Sequence, residues 1–237
     1  MAVSLLVSSC SNINSADRLF SAIEKKYKCN GFNDVRYMIS TIKINDDGSE
    51  IRSTCSGEYV RPSQHMLKTN LLNDDGYISK NDSIFAFVNG ELVSSEARVN
   101  DFIVVVLDIY GMPADSAINR LESIGIANTS KFCEYTDEQT KKKSYIVGID
   151  EYSDATASEN QLWYDAVTLL PTVIQRNGAD NHLYTITLEN YVQVSGSGWI
   201  PQKITYHKDN QTKIIERIYD AVIPIYEKQN LSVETFC

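Results

Sequence analysis

The chain has 237 residues, 43% of them hydrophobic and 22% charged, with 31 acidic against 22 basic side chains and a formal net charge of −9. That length can bury a substantial core, and an acidic chain lacks the basic stripe that displaces counterions, which excludes a nucleic-acid binder. No linker composition, charge block or repeat divides the sequence, so a single domain is expected.

Residues 1–9 are apolar and then small, which reads as the remnant of an export signal. Val7-Ser8-Ser9-Cys10 resembles the bacterial lipobox, in which the cysteine becomes the lipid-bearing first residue. Residues 10–15 would then be Cys10 and a short tether, of which Ser11 to Ser15 spans at most about 17 Å. The folded domain is expected over 16–237, close to a membrane surface. No positive charge precedes the apolar run, so the natural start is expected upstream. The competing reading is a disordered or strand-like N-terminus with an incidental cysteine. No stretch approaches the roughly 20 apolar residues of a spanning helix.

Leu19, Phe20, Ile23 and Tyr27 form the stripe of an amphipathic helix over 17–28, with Ser15 as cap and Asn30-Gly31 as stop. Strands follow over 35–42, 51–60, 64–72 and 83–88, separated by Asn45-Asp46-Asp47-Gly48, Arg61-Pro62, Asn73-Asp74-Asp75-Gly76 and Asn89-Gly90. Turns this regular predict a meandering antiparallel sheet. The period then changes. Asn100 can cap a helix over 101–110 ended by Gly111, and Pro113 suits the first position of another with Ala117, Ile118, Leu121 and Ile124 on one face. The first of these helices is apolar nearly all round and must be covered on most sides. Three consecutive valines make a buried strand the competing reading. From 131 onward the pattern is again β, over 131–135, 144–150, 161–175, 183–194, 199–207 and 213–223.

Motifs for chemistry are sparse. His65, His182 and His207 are isolated, and no Walker loop, GxGxxG or HExxH occurs. Cys10, Cys29, Cys55, Cys133 and Cys237 make no metal-ligand spacing; Cys29, Cys55 and Cys133 read as small buried or semi-buried residues, and the four other than Cys10 would permit three disulfide pairings. Ser195-Gly-Ser-Gly198 reads as a hairpin loop, and Lys141-Lys142-Lys143 as a solvated hairpin tip. The chain is read as a non-enzyme without a cofactor or metal. Fourteen tyrosines, seven phenylalanines and two tryptophans instead supply apolar wall.

In element order from Ser15 to Phe236 the sequence resembles the LolA/LolB lipoprotein-carrier superfamily. The resemblance rests on Gly57-Glu-Tyr-Val-Arg61-Pro62, Ser83-Ile-Phe-Ala-Phe-Val88, Asn89-Gly-Glu-Leu-Val93, the paired helices, Trp199-Ile-Pro-Gln-Lys-Ile-Thr-Tyr206, Ile218-Tyr-Asp-Ala-Val222 and Phe236. It implies an α+β, mainly antiparallel fold: a strongly curved, open β half-barrel with helices forming a lid over its concave face. It also implies a periplasm-facing, monomeric protein of the Gram-negative cell envelope, anchored to the outer membrane through lipidated Cys10. Such a protein binds lipid or lipoprotein acyl chains as carrier or acceptor. Arg61, with Pro62, matches the family's lid-gating arginine, although the spacing from glycine to Arg-Pro is two residues shorter here. The expected cavity wall is Met38, Ile42, Phe85, Phe87 and Trp163, with Phe102, Val106, Leu107 and Leu121 on the lid. The alternative is an envelope-anchored interaction domain of the same fold with a filled core.

Overall fold

A computed structural model describes residues 13–27, 31–62, 64–70, 74–196 and 198–224. The lipobox with Cys10, and also Cys29, Cys237 and Phe236, lie outside them. Helix α1, Ala16–Tyr27, starts where Ser15 Oγ accepts the Arg18 N–H at 3.3 Å. Asp17 in its first turn and Lys25 and Lys26 in its last complement the helix dipole. Its buried face is the anticipated stripe of Leu19, Phe20, Ile23 and Tyr27.

Six strands then meander: β1 (Asp34–Ile44), β2 (Glu50–Val60), β3 (Gln64–Asn70), β4 (Asp75–Lys80), β5 (Ser83–Val88) and β6 (Glu91–Glu96). After the lid helices come β7 (Phe132–Thr136), β8 (Lys143–Val147), β9 (Gln161–Asp165), β10 (Pro171–Asn177), β11 (Leu183–Gln193), β12 (Trp199–Lys208) and β13 (Gln211–Val222). Each half runs hairpin to hairpin, and the antiparallel pairing of β1 with β13 joins them into one 13-stranded sheet. The edges β6 and β7 do not meet, so the barrel stays open. This is the curved α+β half-barrel with helices that the sequence resemblance implied.

Two strand expectations need correction. The segment around Tyr77 and Ile78 is a strand of its own, β4. It was hidden by its shortness and by turn residues on both sides, where Asp74, Asn81 and Asp82 have φ of 50°, 51° and 57°. The single strand expected over 161–175 is two, broken by a turn at 166–168. Asp165 makes that turn: its Oδ1 accepts the N–H groups of Val167 and Thr168 at 3.0 and 2.7 Å and the Thr168 hydroxyl at 2.8 Å. The turn anchors the helices. Its carbonyls accept Lys26 Nζ on Val167 at 2.8 Å, the Tyr27 hydroxyl on Thr168, and the Tyr110 hydroxyl on Leu169 at 2.9 Å.

The segment after Asn100 is helical, as expected, but wider than an α-helix. A π-helical stretch, Ile103–Asp108, continues into a 3-10 turn, Ile109–Gly111. Asn100 caps it, Oδ1 accepting the Ile103 N–H at 3.3 Å. Every residue from 102 to 110 is buried. The competing strand fails because a strand needs neighbours for its backbone, whereas a helix satisfies its own N–H and C=O groups inside an apolar trough.

Helix α2, Ala114–Ser123, packs against α1, burying Ala114, Ala117 and Leu121. Glu24 of α1 accepts the Ala114 N–H at 3.0 Å, placing a carboxylate at the positive helix end. Arg120 forms an ion pair with Asp82 in the β4–β5 turn, and Asn160, just before β9, donates to the Gly125 carbonyl at 3.0 Å. Thus α2 is tied to both halves of the sheet. Leu121 is 0% exposed in the main core. Leu121→Ala is expected to cost about 2–5 kcal/mol in denaturant unfolding, the usual range for an unfilled core leucine. A cost below about 1 kcal/mol would mean that α2 is not packed in solution.

Candidate functional site

Side chains alternate across a strand, so the register assigns each residue to the helix-covered face or the outer one. On the covered face Val35, Tyr37 and Ile39 of β1 stand with Tyr59, His65, Leu67 and Tyr77 from β2–β4. From the other half come Ile218, Glu216, Ile204, Tyr206, Leu188, Ile186, Ile174, Leu162 and Tyr164.

The buried helix is fastened to this face at each end by polar groups. Near its end, Asp108 is 0% exposed and accepts a hydrogen bond from the equally buried Tyr59 hydroxyl. Burial, then the Asp108 charge, pushes the Tyr59 hydroxyl far above its ordinary pKa, so it remains a donor throughout the physiological range. Arg61 hydrogen-bonds Tyr59 as well, and its Nη1 reaches the Gly111 carbonyl at 3.5 Å. The guanidinium lies against two glycines: a Cβ on Gly111 would stand 2.1 Å from Arg61 Cζ, and one on Gly31 would stand 2.4 Å from Nη2. At the start of the helix, Asp101 pairs with Arg176 of β10 at 2.8 Å. Burial raises the Asp101 pKa and Arg176 opposes the rise. Arg176 also donates to the Ile124 carbonyl at 2.9 Å, tying in the end of α2.

Between these fasteners the packing is tight. The gap bounded by Tyr27, Phe32, Val106, Leu107, Tyr110 and Trp199 measures only about 10 Å³, too small for an acyl chain.

Toward the β1–β2 and β12–β13 hairpin tips the helices leave part of the same face half-exposed. There Tyr77, Tyr206 and Glu216 form a part-exposed recess, with Tyr37 buried behind them and His65 farther back, opposite Tyr59. Tyr37 lies flat over Gly57, where a Cβ would fall 2.3 Å from its ring, and its hydroxyl meets His65 Nε2 at 2.7 Å. His65 stacks on Tyr37 and packs edge-on to Tyr77, and desolvation lowers its pKa to about 3, so the imidazole is neutral. Among the described residues its Nδ1 has no hydrogen-bond partner. Asn100, the helix cap, also hydrogen-bonds Tyr77. Glu216 accepts from the Tyr206 hydroxyl at 3.1 Å, and desolvation raises its pKa to about 6 despite that bond. An open cleft of about 570 Å³ at the hairpin tips reaches Ile214, one step along the same face of β13.

The site residues expected from sequence divide by face. Phe102, Val106, Leu107 and Leu121 are buried in the helices over the covered face, and Arg61 sits at their fastened end. The Arg61–Pro62 peptide is cis. The five wall residues are corrected: Met38, Ile42, Phe85, Phe87 and Trp163 face outward. Met38 and Ile42 share the face of exposed Arg36. Phe85 and Phe87 join Met66 and Ile78 in a separate outer cluster. Trp163 packs with Tyr135 and Tyr152 at ring distances of 5.4 and 5.0 Å. These strands are apolar on both faces, so hydrophobicity alone did not give the parity. Sequence reading missed Tyr59, Asp108 and Glu216; Asp108 carried the available signal, an acid ending an apolar run. Cys55 is buried and Cys133 half-exposed, both as free thiols. Among the described residues no cluster of His, Cys and carboxylates could hold a metal, and no helix is long and apolar enough to cross a membrane.

No protein-family model matches this sequence, and no curated protein matches it. Solved structures do match the fold. A LolA superfamily protein from Nitrosomonas europaea aligns with TM-score 0.53 at 11% identity, over 91% of this chain and 96% of its own. A putative outer membrane lipoprotein-sorting protein domain from Vibrio parahaemolyticus gives 0.51 at 13% identity, over 87% and 92%. A DUF1329 family protein from Desulfovibrio piger gives 0.56 at 8% identity, over 90% and 93%. At such identities the likeness establishes the fold: this chain has the LolA-like fold.

Glu216 offers a test of the recess. Its folded pKa lies above the ordinary 4.5, so its contribution to stability is full below about pH 4.5 and is lost as pH rises through about 6. The cost at neutral pH is about 2 kcal/mol. Glu216→Gln is therefore expected to be more stable than the parent at neutral pH, with the difference closing toward pH 4.5 in urea titrations. Parallel pH profiles would show that the carboxyl is well solvated.

Proposed function

We propose that this protein is an envelope protein that takes an apolar chain beneath its helical lid, acting as carrier or acceptor of lipid or lipoprotein acyl chains. One observation carries the reading. The covered face of an unclosed sheet is capped by a helix buried from 102 to 110, held at its ends by separable polar contacts, Asp101–Arg176 and Tyr59–Asp108. An apolar seal with polar catches is what a two-state lid requires. The likeness to a LolA superfamily protein and to a lipoprotein-sorting domain supports the same reading.

On this reading the lid is closed, the gap between Tyr110 and Trp199 being only about 10 Å³, and loading requires the lid to lift. Lifting exposes Phe102, Val106, Leu107 and Leu121 and the wall beneath them; an incoming chain covers that surface again at about 0.8 kcal/mol per buried CH₂. Arg61, seated on Gly31 and Gly111, is the catch whose release would accompany opening. Lipidation of Cys10 would tether the domain beside the outer membrane as a periplasm-facing monomer. The tight interior favours one other reading, an interaction domain with a filled core and no ligand.

The deciding experiment is mass spectrometry of lipid extracted from Cys10→Ala protein purified from its native envelope. Stoichiometric phospholipid or acylated peptide is expected, with release altered in Arg61→Leu. No lipid, together with no binding of a fluorescent fatty-acid probe, would overturn the carrier reading in favour of the filled core.

A further inference from the structure

The recess beyond the lid has a chemistry that an apolar chain does not use. Glu216 sits on β13 directly opposite Thr41 of β1 and Ile204 of β12, within a field of three tyrosines. A carboxylate offers about four acceptor sites, yet among the described residues Glu216 receives one hydrogen bond, from Tyr206. No lysine or arginine is within ion-pair distance of it among those residues, although exposed acids elsewhere are paired, as Asp46 is with Lys213 at 2.7 Å. A desolvated carboxylate so sparsely served is costly to keep. It is not sealed away either: Glu216, Tyr77 and Tyr206 all retain partial solvent exposure.

We propose that this recess binds a primary ammonium group, with Glu216 as its counter-ion and the Tyr77 and Tyr206 hydroxyl oxygens as further acceptors. An ammonium has three N–H donors and no acceptor, which matches a site composed of a carboxylate and phenol oxygens. The tyrosine faces add cation–π attraction, which strengthens where water is excluded. A carboxylate or phosphate would instead meet Glu216 with like charge. Because the recess lies on the lid-covered face, an amine held there would direct an attached alkyl chain toward the lid. In that respect the inference rests on the chain-binding reading, and it deepens it from any apolar chain to an amine-headed amphiphile. Asn100 joins the two regions, since it bonds Tyr77 in the recess and caps the buried helix.

The test is isothermal titration of the full chain near neutral pH with decylamine, decanol and decanoate, each below its micelle concentration, and with butylamine. Decylamine is expected to bind at least about tenfold more tightly than decanol, the size of effect one charge-assisted hydrogen bond gives. Glu216→Gln should abolish that preference while leaving decanol unchanged, and Tyr206→Phe should reduce it. Butylamine binding as tightly as decylamine would keep the ammonium site and sever it from chain binding. Equal binding of all three decyl compounds, or preference for decanoate, would overturn the ammonium site while leaving chain binding intact. No binding by any of the four would overturn both readings.

Discussion

Everything in this protein follows from the need to cover one face of a sheet that does not close. Thirteen antiparallel strands in a single layer leave a curved apolar trough between two free edges. Whatever fills the trough must be apolar toward the sheet and must also satisfy its own backbone, because no strand partner is available there. Residues 102–110 meet both demands. They are hydrophobic in nearly every direction, and they close their hydrogen bonds within a π-helical stretch and a 3-10 turn. Helix α1 packs beside the 3-10 turn, where Tyr27 meets Tyr110 edge-on at 5.1 Å, and α2 packs against α1.

Apolar contact alone would leave the 102–110 segment free to slide. The two polar contacts at its ends fix it. Asp101 with Arg176, and Asp108 with Tyr59, which Arg61 also hydrogen-bonds, join the helix to opposite halves of the sheet. Buried charged hydrogen bonds are directional and fail sharply when displaced, whereas apolar contacts slide. A segment held in this way has a defined seat on the sheet. The glycines at 31 and 111 belong to the same device, since any side chain there would push the Arg61 guanidinium off its seat.

The tyrosine–glutamate recess shows that the covered face is chemically divided. Near the Arg61 end it is dry and packed; toward the hairpin tips it is aromatic, half-wet and carries a carboxylate with little protein support. A site with an apolar end and a polar end suits amphiphiles, because each part of such a ligand loses little on leaving water. The outer face is also not uniform. It holds an apolar cluster around Ile78 and an aromatic trio at Tyr135, Tyr152 and Trp163, and these absorb several of the hydrophobic residues that seemed to belong to the interior.

Local signals determined much of the architecture from sequence. The Leu19-Phe20-Ile23-Tyr27 stripe, the Asn100 cap and the Asn-Gly and Asp-Gly turns each act within a few residues, so they could be read without knowing the fold. They gave the order of helices and strands and a meandering antiparallel sheet; the half-barrel came from the resemblance to the LolA/LolB superfamily. Tertiary structure decided the rest. Which face Met38, Phe85 or Trp163 occupies depends on register, and strands apolar on both faces carry no alternation to reveal it. The break at Asp165 looked like continuous strand because a single carboxylate makes the turn. The meeting of Tyr59 with Asp108, and of Glu216 with Tyr206 and Tyr77, joins residues on different strands and helices. Such contacts exist only once the sheet has curved around its helix, which is why composition and spacing could not announce them.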